Sequence, residues 1–144
     1  SDHAPHTLEE KTKPFLDAPS GMPGVETILP LMLTQVSKKQ WNIEDVARWC
    51  SSVPASLYGA HSKGEIVVGK DADLVLVDLH ATKTLTHSNQ VTKCGWTAFD
   101  QWDVQGIPIA TFVNGQMVYR EGDFFEDVKG TEVQCGVLNP HRVS

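Results

Sequence analysis

The chain has 144 residues, 40% of them hydrophobic and 21% charged, with a formal net charge of -6. That is the composition of an ordinary globular domain with a core of useful size, and it excludes disordered and fibrous classes. The acidic balance, with Lys38-Lys39 as the one adjacent basic pair, argues against a nucleic-acid surface, and no stretch approaches the roughly 20 apolar residues of a membrane span.

Residues 1 to 23 contain Pro5, Pro14, Pro19, Gly21 and Pro23 and keep no period of 2 or 3.6, which predicts one long loop. Loops of that length inside compact domains are often functional. The sequence does not open with Met or with the apolar region of a signal peptide. We therefore expect a piece of a longer or processed polypeptide. Cys50, Cys94 and Cys135 are widely spaced, without a CxxC pair. The expectation is reduced thiols in a cytoplasmic protein.

A helix comes next. Val25, Ile28, Leu29, Met32, Leu33 and Val36 form one apolar stripe, and Pro30 is expected to kink its first turns. A second helix is predicted over about 43–50, capped by Asn42, with Glu44 and Asp45 facing the positive end of its dipole. Ser52-Val53-Pro54 starts a third, which Gly59 can end. After Gly59 the period becomes 2. Residues 65–68 and 74–77 read as strands joined by a turn at Gly69-Lys70-Asp71. Residues 80 to 105 read as irregular. Residues 109–113 and 116–119 flank Asn114-Gly115, a strong hairpin signal. The tail from Asp123 onward is expected to be partly mobile.

Chemistry concentrates at the start. Asp2, His3 and His6 are residue types that zinc accepts, and a carboxylate beside zinc can also move a proton. An exposed turn with surface histidines explains the same cluster. The glycines of Ala18-Pro19-Ser20-Gly21-Met22-Pro23-Gly24 allow backbone N–H groups to approach a ligand, or simply form a turn into the helix. His61, His80, His87 and His141 read as surface positions, and the four tryptophans as packing residues.

Taken in order, Ser1-Asp2-His3-Ala4-Pro5-His6-Thr7-Leu8-Glu9-Glu10-Lys11 resembles the signature of dihydroorotases, and residues 15–27 resemble the segment that follows it in that family. Residues 63–66, 69–74 and 113–119 are similar to the closing strands of amidohydrolases more broadly. The resemblance implies an α/β fold: the C-terminal end of a (β/α)8 metal-dependent hydrolase barrel plus a small β domain, a composite β-sandwich. Residues 1–60 would finish the barrel, 61–122 would form the small β domain, and 123–144 would be a tail. The implied activity is the zinc-dependent interconversion of N-carbamoyl-L-aspartate and dihydroorotate in pyrimidine biosynthesis.

In that reading Asp2 ligates zinc and serves as general base, His6 holds the substrate carboxylate, and backbone groups of Ser20 and Gly21 bind the pyrimidine ring edge. One or two zinc ions are implied, with the other ligands on earlier barrel strands. The 144 residues alone are therefore expected to be inactive. Implied partners are a small-molecule substrate, the missing N-terminal barrel portion, and either a second copy in a homodimer or an aspartate transcarbamoylase. Neither nucleic acid nor membrane is expected as a partner. The sequence departs from the family at Thr97-Ala98-Phe99-Asp100-Gln101, where the aromatic loop usually carries Pro before the Phe and Gly after the acidic residue. Other readings are an allantoinase or hydantoinase, an inactive scaffold for a transcarbamoylase, and a small zinc module built on His3 and His6.

Overall fold

A computed structural model describes residues 1–136. Two compact units interleave along the chain: residues 1–40 with 78–107, and residues 41–77 with 108–144. The strands form one four-stranded sheet in the order β1-β2-β3-β4, with β1 at Leu74–Thr84, β2 at Asp103–Val113, β3 at Gln116–Arg120 and β4 at Asp123–Phe124.

The first unit opens with a long segment interrupted by one helical turn, α1 (Leu8–Lys11). The expected uninterrupted loop is thus corrected, and the cause is local. Thr7 accepts a hydrogen bond from the Glu10 N–H at 3.2 Å, while the Glu10 carboxylate accepts one from the Thr7 N–H at 2.8 Å. This reciprocal pair satisfies two donors that a helix start would otherwise leave bare. Chiefly because of the Thr7 N–H, the Glu10 carboxyl is held below its ordinary pKa.

Helix α2 (Ile28–Ser37) follows. Val25 lies outside it and is exposed, and the buried line is Thr27, Pro30, Leu33 and Thr34 rather than the predicted stripe. Pro30 stands in the first turn, where helix N–H groups have no intrahelical partner, so its missing donor costs little there. Thr34 is tied both ways. Its hydroxyl donates to the Pro30 carbonyl at 2.7 Å and accepts the Gln105 N–H at 3.0 Å, which joins α2 to β2. Leu33, only 1% exposed, and Val104 form the centre of this core with Leu85 and Trp96.

Residues 80 to 105 are more regular than expected. β1 continues to Thr84, a 3-10 turn covers His87–Asn89, and β2 begins at Asp103. Leu85 and Trp102 close the intervening loop through a backbone hydrogen bond of 2.8 Å. Polar residues at 86–90 obscured the strand ends from the sequence, because Thr86, His87 and Asn89 bond the local backbone rather than a ladder.

In the second unit α3 (Ile43–Ala47) passes through a π-helical turn (Arg48–Ser52) into α4 (Val53–Tyr58). The two predicted helices are therefore one continuous run. Gly59 ends it in the left-handed region, as anticipated. Trp41 and Trp49 stack edge to face, with ring centroids 5.2 Å apart.

The predicted strand at 65–68 does not form. Its residues lie in a loop, with Ile66 at 87% and Val68 at 106% exposure. That loop is organised by charge instead. Lys63 pairs with Asp71 and Asp73, Lys70 pairs with Glu65 at 2.8 Å, and Asp71 N–H donates to the Ser62 carbonyl at 2.9 Å. The hairpin over β2 and β3 forms around Asn114-Gly115 as predicted, with Val113 opposite Gln116 and an irregularity between Thr111 and Phe112. Both turn residues have positive φ, 50° and 77°, as a two-residue turn of this twist requires. Beyond it Asp123–Phe124 pairs with β3, so the start of the expected tail is sheet. Residues 137–144 of that tail, His141 included, lie outside the described residues.

Candidate active site

The opening segment lies alongside residues 18–25, within the first unit. Ala4 N–H donates to the Met22 carbonyl at 2.9 Å, and His3 pairs with Met22 in a short parallel bridge. The imidazole of His3 adds a second tie. Its Nδ1 accepts the N–H groups of Gly24 and Val25 at 3.1 and 3.3 Å. An acceptor nitrogen carries no proton, so this ring holds its hydrogen on Nε2.

Glycine makes this approach possible. At Gly21, where φ is 90°, a Cβ would lie 2.5 Å from the Ala4 Cβ; at Gly24 one would lie 2.7 Å from the Ser1 carbonyl oxygen. Any larger residue would push the two segments apart.

Asp2 is exposed and has φ 45°, an uncommon conformation for a residue other than glycine. Among the described residues its carboxylate makes neither a hydrogen bond nor an ion pair. His6 is partly exposed, with Nδ1 3.8 Å from the Glu10 carboxylate. Its backbone carbonyl accepts the indole N–H of buried Trp96 at 2.7 Å. Gly21 lies against Ala4 of this segment, Ser20 is exposed, and Lys11 donates to the carbonyls on either side of Ser20.

Loop 91–101 braces this arrangement. The Glu26 carboxylate accepts the N–H groups of Val91 and Thr92 at 3.0 and 3.1 Å. His87 is exposed, as expected of a surface position, and its Nδ1 also accepts the Thr97 N–H at 3.2 Å, which ties it to the loop. The departure Thr97-Ala98-Phe99-Asp100-Gln101 falls in this loop, where Thr97 is buried and Gln101 takes φ 63° in place of the glycine usual there. Sequence reasoning assigned no site role to His3, Lys11, Glu26 or Trp96. The Lys at this spacing was visible in the motif, but the carbonyls it binds were not.

Among the described residues no three His, Cys, Asp or Glu side chains converge into a metal site. Cys50, Cys94 and Cys135 form no disulfide among the described residues, and no described helix is long and apolar enough to cross a membrane. As one ligand Asp2 fits zinc chemistry, being an accessible carboxylate without a competing partner. A catalytic zinc takes about three protein ligands, and these residues supply fewer.

A model of the amidohydrolase family matches residues 18–118, and the chain belongs to that family. The α/β architecture with an antiparallel sheet agrees with it. Within the family the chain is similar to dihydroorotases. It is 39% identical over 126 residues to the dihydroorotase of Methanothermobacter thermautotrophicus, covering 88% of this chain and 29% of that one. It is 40% identical over 134 residues to the dihydroorotase of Halobacterium salinarum, covering 93% and 31%. Among solved structures, a D-hydantoinase (dihydropyrimidinase) from Thermus sp. matches with a TM-score of 0.81 and 31% identity, over 87% of this chain and 28% of that chain. The chain thus spans less than a third of the length of the curated relatives it matches.

Proposed function

We propose that the chain forms the C-terminal part of a dihydroorotase, a zinc amidohydrolase that interconverts N-carbamoyl-L-aspartate and (S)-dihydroorotate. The observation that carries this reading is the meeting of the Asp2–His6 segment with residues 18–25, through Ala4 to Met22 and His3 to Gly24. These contacts support reading the exposed Asp2 carboxylate and the glycine-containing loop as parts of one site. Similarity to dihydroorotases over most of the chain supports the choice of substrate.

In this reading residues 1–60 finish a (β/α)8 barrel, with Asp2 at the tip of its last strand. Residues 61–122, with the paired strand Asp123–Phe124, supply part of a composite β domain. The exposed apolar run at Ile66–Val68, beside exposed Val75 and Leu76 of β1, supports a β domain completed by further polypeptide.

Asp2 would hold zinc together with ligands from the N-terminal barrel portion. When bound, zinc polarises the amide carbonyl and acidifies water to a pKa of about 7. The Asp2 carboxylate takes the proton of the attacking water and returns it to the leaving amide nitrogen. His6 binds the substrate carboxylate as an N–H donor, and backbone groups of Ser20 and Gly21 hold the ring edge. Because these 144 residues bring few of the ligands, they are predicted to be inactive by themselves.

The hydantoinase structures favour a second reading, hydrolysis of another cyclic amide. Turnover of dihydroorotate, hydantoin and dihydrouracil by the zinc-loaded full-length protein decides between them. The first reading expects kcat/KM highest for dihydroorotate. Preference for hydantoin or dihydrouracil refutes it, and no turnover of any points to a scaffold.

A further inference from the structure

Lys11 occupies the last position of α1, whose start is fixed by the reciprocal Thr7–Glu10 bonds. Its ammonium group donates to two backbone carbonyls, Pro19 at 2.7 Å and Gly21 at 3.0 Å. Those carbonyls bracket Ser20. In a trans peptide the C=O and the following N–H point in opposite directions. A Pro19 carbonyl turned toward Lys11 therefore turns the Ser20 N–H away from it, and among the described residues that N–H has no acceptor. A cation on the carbonyl also polarises the peptide unit and strengthens its N–H as a donor.

We propose that Lys11 is a positioning residue: by holding the Pro19 and Gly21 carbonyls it aims the Ser20 N–H at the acceptor atom of a bound cyclic amide. The inference rests on the dihydroorotase reading for the identity of that ligand, but the orientation of the peptide stands apart from it. Among the described residues no other cation donates to the Pro19 or Gly21 carbonyl. Charge-assisted bonds to two carbonyls also restrain the Ser20 peptide in a loop that contains Pro19 and Gly21.

Two readouts test this in the Lys11→Met variant. The amide resonance of Ser20 in the 15N-labelled protein reports the orientation and polarisation of the peptide, and steady-state kinetics of the zinc-loaded full-length protein report its use. We expect the Ser20 resonance to move and KM for dihydroorotate to rise about tenfold with kcat little changed. Lys11→Arg, which keeps the cation, should return both toward wild type. A merely structural role would lower the active fraction and leave KM in place. An unmoved Ser20 resonance overturns the proposal whatever the activity, and a moved resonance with unchanged KM overturns the substrate role. If the wild-type protein hydrolyses hydantoin instead of dihydroorotate, the dihydroorotase reading falls, and the same KM comparison on hydantoin then decides the role of Lys11.

Discussion

At the scale of single residues, the backbone of the opening segment is specified more tightly than its exposed side chains. Asp2 presents a carboxylate unpaired among the described residues and His6 a partly exposed imidazole 3.8 Å from Glu10, while Ala4, the His3 ring and the His6 carbonyl are all engaged by neighbours. This division separates the two roles in a kinetic experiment. His6→Ala should raise KM by about tenfold or more with a smaller change in kcat, because it removes a binding donor and leaves the carboxylate in place. Equal losses in kcat and kcat/KM would instead give His6 a transition-state role. Trp96→Phe keeps the packing but drops the 2.7 Å bond to the His6 carbonyl, and a milder KM increase is expected of it.

Sequence alone reached Asp2, His6, Ser20 and Gly21 as candidates through the motif. It could not reach Glu26 or Trp96, because their partners lie 65 and 90 residues away and no local pattern records such pairings. His3 is read from the sequence as a residue type that zinc accepts, yet in the structure its Nδ1 accepts the backbone N–H groups of Gly24 and Val25.

At the scale of elements, local chemistry predicted turns and caps well and strands less well. Asn114-Gly115 and Gly59 carry their conformations in their residue types, and both appear as read. Gly115→Ala should destabilise the protein by about 1–2 kcal/mol, since alanine disfavours positive φ; a thermal unfolding midpoint unchanged from wild type would contradict this. Thr7 and Glu10 wrote a capping box into the sequence, but surrounding prolines hid a helix only four residues long.

The false strand at 65–68 shows how apolar β-branched residues mislead when no neighbour is present to pair with them. Around it, Lys63 holds Asp73 and Asp71. Asp73 is kept below the ordinary carboxylate pKa chiefly by Lys63, and Asp71 chiefly by the Ser62 hydroxyl and then Lys63; Lys63 itself is raised chiefly by Asp73. Depressed carboxyl groups stabilise the fold above their unfolded pKa, about 4, and this is lost as the pH falls through their folded values. The raised Lys63 contributes below about 10.4 and loses its effect as the pH rises through its folded value. Urea unfolding across pH 2–11 should therefore show a small acid loss and a small alkaline loss, and Lys63→Met should flatten both. The carboxylates are more than a third exposed, so the amplitudes will be modest. An unchanged acid limb in the variant would remove the cluster from the account.

At the scale of the whole molecule, family membership and partial coverage of relatives fit together. The chain belongs to the amidohydrolases, spans under a third of its dihydroorotase relatives, and leaves Ile66, Val68, Val75 and Leu76 exposed. Exposed apolar surface of this kind is consistent with the proposed completion of the β domain by further polypeptide. The sequence pattern could name the family because the motif is local. It could not draw the unit boundaries, two of which fall inside the long strands β1 and β2.

The proposed site depends on Asp2, and conversion of dihydroorotate by the zinc-loaded full-length protein carrying Asp2→Asn measures that dependence most directly. The account predicts turnover at least about 100-fold below wild type, because the substitution removes the proton acceptor and a metal ligand while keeping the side-chain shape. Wild-type kinetics in that variant would contradict it.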